Sequence, residues 1–145
     1  MMKKIKLFGL ILSVFAFSGL NAQEVTDYDL MNFAKSYVEM MKLNARAQKE
    51  MAQLIEKEGL SLEIYHAIDE SKDTDLEPDV ADEEFTKYDK VQPKIEKIQA
   101  DLEKDVEKVF SKNDLSKQKY AAISERVKQD YILQAKLEKI LERLR

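Results

Sequence analysis

Residues 59–68 read Gly-Leu-Ser-Leu-Glu-Ile-Tyr-His-Ala-Ile, and residues 114–123 read Asp-Leu-Ser-Lys-Gln-Lys-Tyr-Ala-Ala-Ile. Leu, Ser, Tyr, Ala and Ile recur at the same relative positions. Each copy follows a long amphipathic stretch and opens another. With Ser61 as an N-cap, its hydroxyl accepts from a first-turn backbone N–H. Leu60 then precedes the cap and Tyr65 is the fourth helical residue, the two positions of a hydrophobic staple. Leu115, Ser116 and Tyr120 repeat the arrangement. Neither copy is a capping box, because Ile64 and Lys119 stand where Glu or Gln would be needed. The segments Leu-Ser-x-x-x-Tyr are therefore read as helix–helix corners rather than as binding motifs.

The first copy also ends the helix before it. Gly59 takes the left-handed conformation of a C′ residue at little cost, which places Leu60 at C″ above Ile55. The second copy has Asp114 at that place, and Asp tolerates the left-handed region less well. A looser or shifted second corner is the expectation, with Leu60→Ala costing more stability than Leu115→Ala.

Outward from the corners, amphipathic periodicity runs nearly unbroken. Thr26 is an N-cap with Asp29 at the third helical position, and Val25 and Leu30 form a third staple. The first helix extends to about Glu58 on a stripe of Leu30, Phe33, Ala34, Tyr37, Val38, Met41, Ala45, Met51, Ala52 and Ile55. A short second helix covers Leu62 to Lys72. A third runs from Val80 to Lys112, with Pro93 kinking it rather than splitting it. A fourth runs from Lys117 to the end, with Tyr131 among its apolar side. Only three Gly and two Pro occur in 145 residues, which favours few long helices over many strands. The expected fold is all-α: an antiparallel helical bundle of three long helices and one short one, in two helix–corner–helix units.

Residues 1–22 read as a signal peptide. Lys3, Lys4 and Lys6 precede an apolar run from Leu7 to Leu20, and Leu20-Asn21-Ala22 offers a cleavage site. Residues 23–145 then form one helical domain, periplasmic or secreted, with no integral membrane segment after cleavage. Removing three lysines and no acids takes the net charge from −4 to −7. That balance argues against nucleic acid and against electrostatic attachment to anionic lipid. There is no Cys, so packing alone must stabilise the domain.

Catalytic signatures are missing. His66 is the single histidine, and neither a phosphate-binding Gly-rich loop nor a Gly-x-Ser-x-Gly elbow occurs. Glu63 and His66 have the Glu-x-x-His spacing of di-iron bundles, but such a site needs two copies and the second corner has Gln118 and Ala121. No catalytic, cofactor-binding or metal residue is assigned, and no cofactor. In and just after the acidic linker at about 69–82, Asp73, Asp75, Glu77, Asp79 and Glu84 fall at calcium-loop spacing. Pro78, however, occupies the place where that loop turns on Gly.

Several segments carry a resemblance. They are Asn-Phe-Ala-Lys-Ser-Tyr (32–37), Ile-Glu-Lys-Glu-Gly-Leu-Ser (55–61), Lys-Tyr (87–88), Ile-Glu-Lys-Ile-Gln (95–99) and Asp-Tyr-Ile-Leu-Gln (130–134). Across nearly all of the chain beyond the leader, the sequence resembles the exported bacterial helical proteins of domain of unknown function 4168. The resemblance implies an all-α domain in the cell envelope and no activity. The expected role is non-enzymatic, through contact with an unknown envelope protein. A second expectation is a small periplasmic holdase-type chaperone, since Leu-Ser-Lys-Gln (115–118) looks like a corner of such proteins. A third is a calcium-responsive protein using residues 73–84.

Overall fold

Both corners close in the same way. In the computed structural model, which describes residues 24–145, Gly59 has φ +78° and Asp114 has φ +51°. Leu60 N–H donates to the Ile55 carbonyl at 3.2 Å and Gly59 N–H to that of Glu56 at 2.9 Å. The second corner repeats this, with Leu115 N–H on Phe110 at 3.0 Å and Asp114 N–H on Ser111 at 3.4 Å. This is the paired bonding of a Schellman cap. Ser61 then accepts from Ile64 N–H at 3.2 Å and Ser116 from Lys119 N–H at 3.1 Å. The second corner is thus neither shifted nor missing a bond. Asp114 accepts the left-handed conformation, and Leu115 ends one helix and staples the next as Leu60 does. Both leucines are buried.

Five helices follow from these stops: α1 (Asp27–Lys57), α2 (Leu62–Ser71), α3 (Asp82–Lys112), α4 (Lys117–Gln129) and α5 (Tyr131–Leu144). No strand occurs among the described residues, so the chain is all-α. The leader read from residues 1–22 lies outside the described residues. Pro93 is exposed and α3 continues unbroken through it. Its ring is exposed, and its missing N–H leaves the Asp89 carbonyl without its intrahelical donor.

The fourth helix expected from Lys117 to the end is two helices. Asp130 (φ −124°, ψ 104°) interrupts it, and its carboxylate accepts from the N–H groups of Ile132 at 2.9 Å and Leu133 at 3.2 Å. The break resets the helical phase. Tyr131, expected on the buried side, is 79% exposed, while Leu133, expected there too, is buried. The α1 stripe also departs from expectation in its middle. Met40 and Ala47 are buried, whereas Met41 and Ala45 face out. A seven-residue step from Phe33 to Met40 to Ala47 keeps one side of the helix inward, and Met41 lies about 100° round from it.

The chain divides into two compact units. The first comprises 24–44 and Lys104–Arg145. Its core is Leu30, Phe33, Met40, Val109, Phe110, Leu115 and Ile123, with Val25, Tyr120, Leu137 and Ile140 packed against it. The α1 start is locked here. Thr26 and Asp29 exchange bonds, Asp29 N–H to Thr26 Oγ1 at 3.1 Å and Thr26 N–H to Asp29 Oδ2 at 3.2 Å. Asp29 also pairs with Lys119 of α4. That ion pair, with the Thr26 contacts, holds the carboxyl below its usual range despite burial. The Ser36 hydroxyl is buried without a hydrogen-bond partner.

The second unit, Ala45–Glu103, is built around two tyrosines. The rings of Tyr65 and Tyr88 lie 5.1 Å apart, both 1% exposed. Their hydroxyls donate outward, Tyr65 to Gln92 at 2.7 Å and Tyr88 to Asp69 at 2.6 Å. Lys72 lies over the Tyr88 ring, 4.3 Å from its centre, and also pairs with Asp89. Each buried aromatic thus keeps a polar end satisfied.

Two predictions follow from these caps. Leu60→Ala and Leu115→Ala should cost similar stability, about 2–4 kcal/mol each by urea denaturation, contrary to the sequence-based ranking. Asp114→Gly should stabilise by about 0.5–1 kcal/mol, since it removes a left-handed side chain. A destabilised Asp114→Gly protein would show that the side chain matters more than its backbone.

Asp29 has a lowered pKa, so its contribution is present above the unfolded carboxyl value near 4 and fades as pH falls through the folded value. Asp29→Asn should therefore destabilise by about 1–2 kcal/mol at pH 7. Thermal melts should show the gap narrowing as the pH is taken below the ordinary carboxyl range; a gap that does not change with pH would refute the ion-pair account.

Candidate functional site

The candidate site is a shallow apolar groove in the first unit. Phe33 and Tyr37 of α1 line one side, Ser124, Val127 and Lys128 of α4 the next, and Leu137 and Leu141 of α5 the last. Its volume is about 210 Å³. Each wall follows from a local rule. Phe33 and Tyr37 are four apart on α1 and Leu137 and Leu141 four apart on α5, so each pair stands on one helical face. Phe33 is fixed from behind by Tyr120, whose ring stacks on it at 4.5 Å and 23°. Phe110 also packs against the Tyr120 ring, centres 5.2 Å apart.

The α5 wall is held by the break at Asp130. Gln134 reaches back with Nε2 to the carbonyls of Val127 at 2.8 Å and Lys128 at 3.3 Å. Lys136 pairs with Asp27 at the start of α1, at 2.9 Å. Lys128 at the rim is paired with Glu125 at 2.8 Å. The groove is therefore an apolar floor with paired charges at its edge.

Burial, with Tyr37 adding to it, pushes the Tyr120 hydroxyl well above the usual phenol range, so Tyr120 stays neutral. Burial does the same to Tyr65 and Tyr88, where Asp69 raises both further. All three phenols therefore stay protonated near neutral pH. Among the described residues, no three His, Asp or Glu side chains converge where they could hold a metal ion. In the acidic linker the Val80 N–H turns back to the Pro78 carbonyl at 2.9 Å. His66 packs edge-on against Tyr65, ring centres 5.8 Å apart.

The corner residues singled out in the sequence divide between the units. Gly59, Leu60, Ser61 and Tyr65 belong to the second, and Leu115, Ser116 and Tyr120 to the first. Tyr120 alone bears on the groove, by backing Phe33. Tyr37, Val127, Leu137 and Leu141 carried a signal only as members of apolar stripes. Ser124 and Lys128 carried none, since each is an ordinary residue on a charged helix.

No helix among the described residues is long and apolar enough to cross a membrane. No curated protein and no solved structure matches the chain. The family profile "Domain of unknown function (DUF4168)" matches residues 26–137. The match spans α1 to α4 and the first half of α5, and the chain belongs to that family.

Proposed function

We propose that this member of the DUF4168 family is an exported, non-enzymatic protein of the periplasm or exterior that works by protein–protein contact, seating a partner's apolar side chains in the first unit's groove. The groove carries the reading. It is open and mainly apolar, on a chain in which 36% of residues are charged. At about 210 Å³ it lies below the roughly 300–1,000 Å³ of small-molecule sites, and it suits one or two side chains. Apolar anchors in such a pocket, within a charged rim, are how protein interfaces concentrate their affinity. The basic, apolar leader at residues 3–20 supports export. The net charge supports a protein partner over nucleic acid.

The test is in-cell photo-crosslinking from Tyr37 and Ser124, with exposed Lys139 as the control position. A discrete adduct from the two groove positions, absent from Lys139 and lost on Leu141→Asp, is the expected result. Equal labelling from all three positions would overturn the groove reading. A smear of many adducts, with sub-stoichiometric protection of a denatured client, would favour a holdase instead.

A further inference from the structure

The junction at Asp130 is a break without a loop. Between α4 and α5 there is one residue, with no Gly or Pro on either side. No helix-breaking Gly or Pro occurs anywhere from Lys117 to Leu144, yet the chain bends at Asp130.

The hydrogen bonds show why both forms are close in energy. A straight helix would join the N–H groups of residues 131, 132 and 133 to the carbonyls of 127, 128 and 129. In the bent form the Asp130 carboxylate takes Ile132 and Leu133 N–H. The Gln134 side chain takes the Val127 and Lys128 carbonyls. Gln134 N–H already bonds the Asp130 carbonyl at 3.0 Å, the bond a straight helix would also have. Two side chains thus stand in for two of the three donors and two of the three acceptors given up at the bend, and straightening restores all three backbone bonds in exchange for these side-chain ones.

What holds α5 back is tertiary burial. Leu137 and Ile140 pack on the first unit's core, Leu133 is buried, and Lys136 pairs with Asp27. A straightened α5 would lose these contacts within its own chain. It would regain every one of them on a second copy, whose own α5 would reciprocate. Exchange of an identical element conserves all contacts, and a one-residue hinge adds few of the degrees of freedom that favour closing back.

We infer that α5 is an exchangeable arm: the chain forms a dimer in which Asp130 straightens, α4 and α5 become one helix, and each α5 fills the other copy's groove wall. The exposed Tyr131 and Ile132, 79% and 56% accessible, sit at the hinge and become the middle of the joined helix. This device is independent of what partner the groove binds, because the exchanged groove has the same lining.

Two substitutions push the hinge in opposite directions. Asp130→Ala removes the cap of the bent form and supplies a strong helix former. Tyr131→Pro places proline at the first helical position of α5, where it is tolerated, and holds residue 130 extended. In a straight helix the same proline would clash with the Val127 carbonyl. The full chain, purified, is examined by light scattering across concentration, with circular dichroism confirming that each variant folds. Wild type should show dimer rising with concentration. Asp130→Ala should raise the association constant roughly tenfold or more, and Tyr131→Pro should be monomeric throughout. In the Asp27→Cys/Lys136→Cys double variant, a short bismaleimide should join two chains in the dimer fraction and stay within one chain in the monomer. Asp130→Ala that stays monomeric to millimolar concentration, dimer that survives Tyr131→Pro, or crosslinks within one chain in the dimer would each overturn the proposal.

Discussion

One backbone bond, made twice, turns this chain into a folded protein. The N–H of a leucine just past a helix end reaches the carbonyl five residues back, Leu60 to Ile55 and Leu115 to Phe110. It satisfies an otherwise orphaned carbonyl and aims the leucine side chain inward. The serine that follows caps the next helix. A protein with no Cys and few Gly or Pro has little else to define where its helices stop. Without these corners α1–α2 and α3–α4 would have only amphipathic stripes, which define a face but no turn.

Around the corners, each unit solves the same problem with different side chains. In the second, Tyr65 and Tyr88 fill the interior and send their hydroxyls to Gln92 and Asp69. In the first, Phe33, Phe110 and Tyr120 stack, and the charged Asp29–Lys119 pair ties the α1 start to α4. Aromatic burial supplies the area that 122 described residues can hide, and polar ends keep that burial from leaving unsatisfied groups. Ser36 is the exception, a hydroxyl buried with no partner.

Much of this was legible from residue types. Ser61 and Ser116 as caps, Gly59 as a left-handed stop and the Leu30–Ile55 stripe are local rules with local signals. Asp114 departs from the looser corner expected of it because its conformational cost is small beside the burial of Leu115 that it permits. Asp130 was missed because capping aspartates look like any surface acid. Only Gln134, four residues on, completes the exchange of bonds that makes the break tolerable. The phase error at Met40 and Met41 arose where two neighbouring methionines fit the stripe equally well. The groove could not be read at all. Phe33, Tyr37, Leu137 and Leu141 are far apart in sequence, and a stripe position that lines a groove is written in the same residues as one that fills a core.

Amide hydrogen exchange at the two corner leucines tests this account most directly, because it reports on the bond itself. If Leu60 and Leu115 N–H groups close the corners as described, both should exchange as slowly as mid-helix amides such as those of Ile95 and Val109. Exchange at either leucine as fast as at Asp75 or Leu76 in the acidic linker would contradict it.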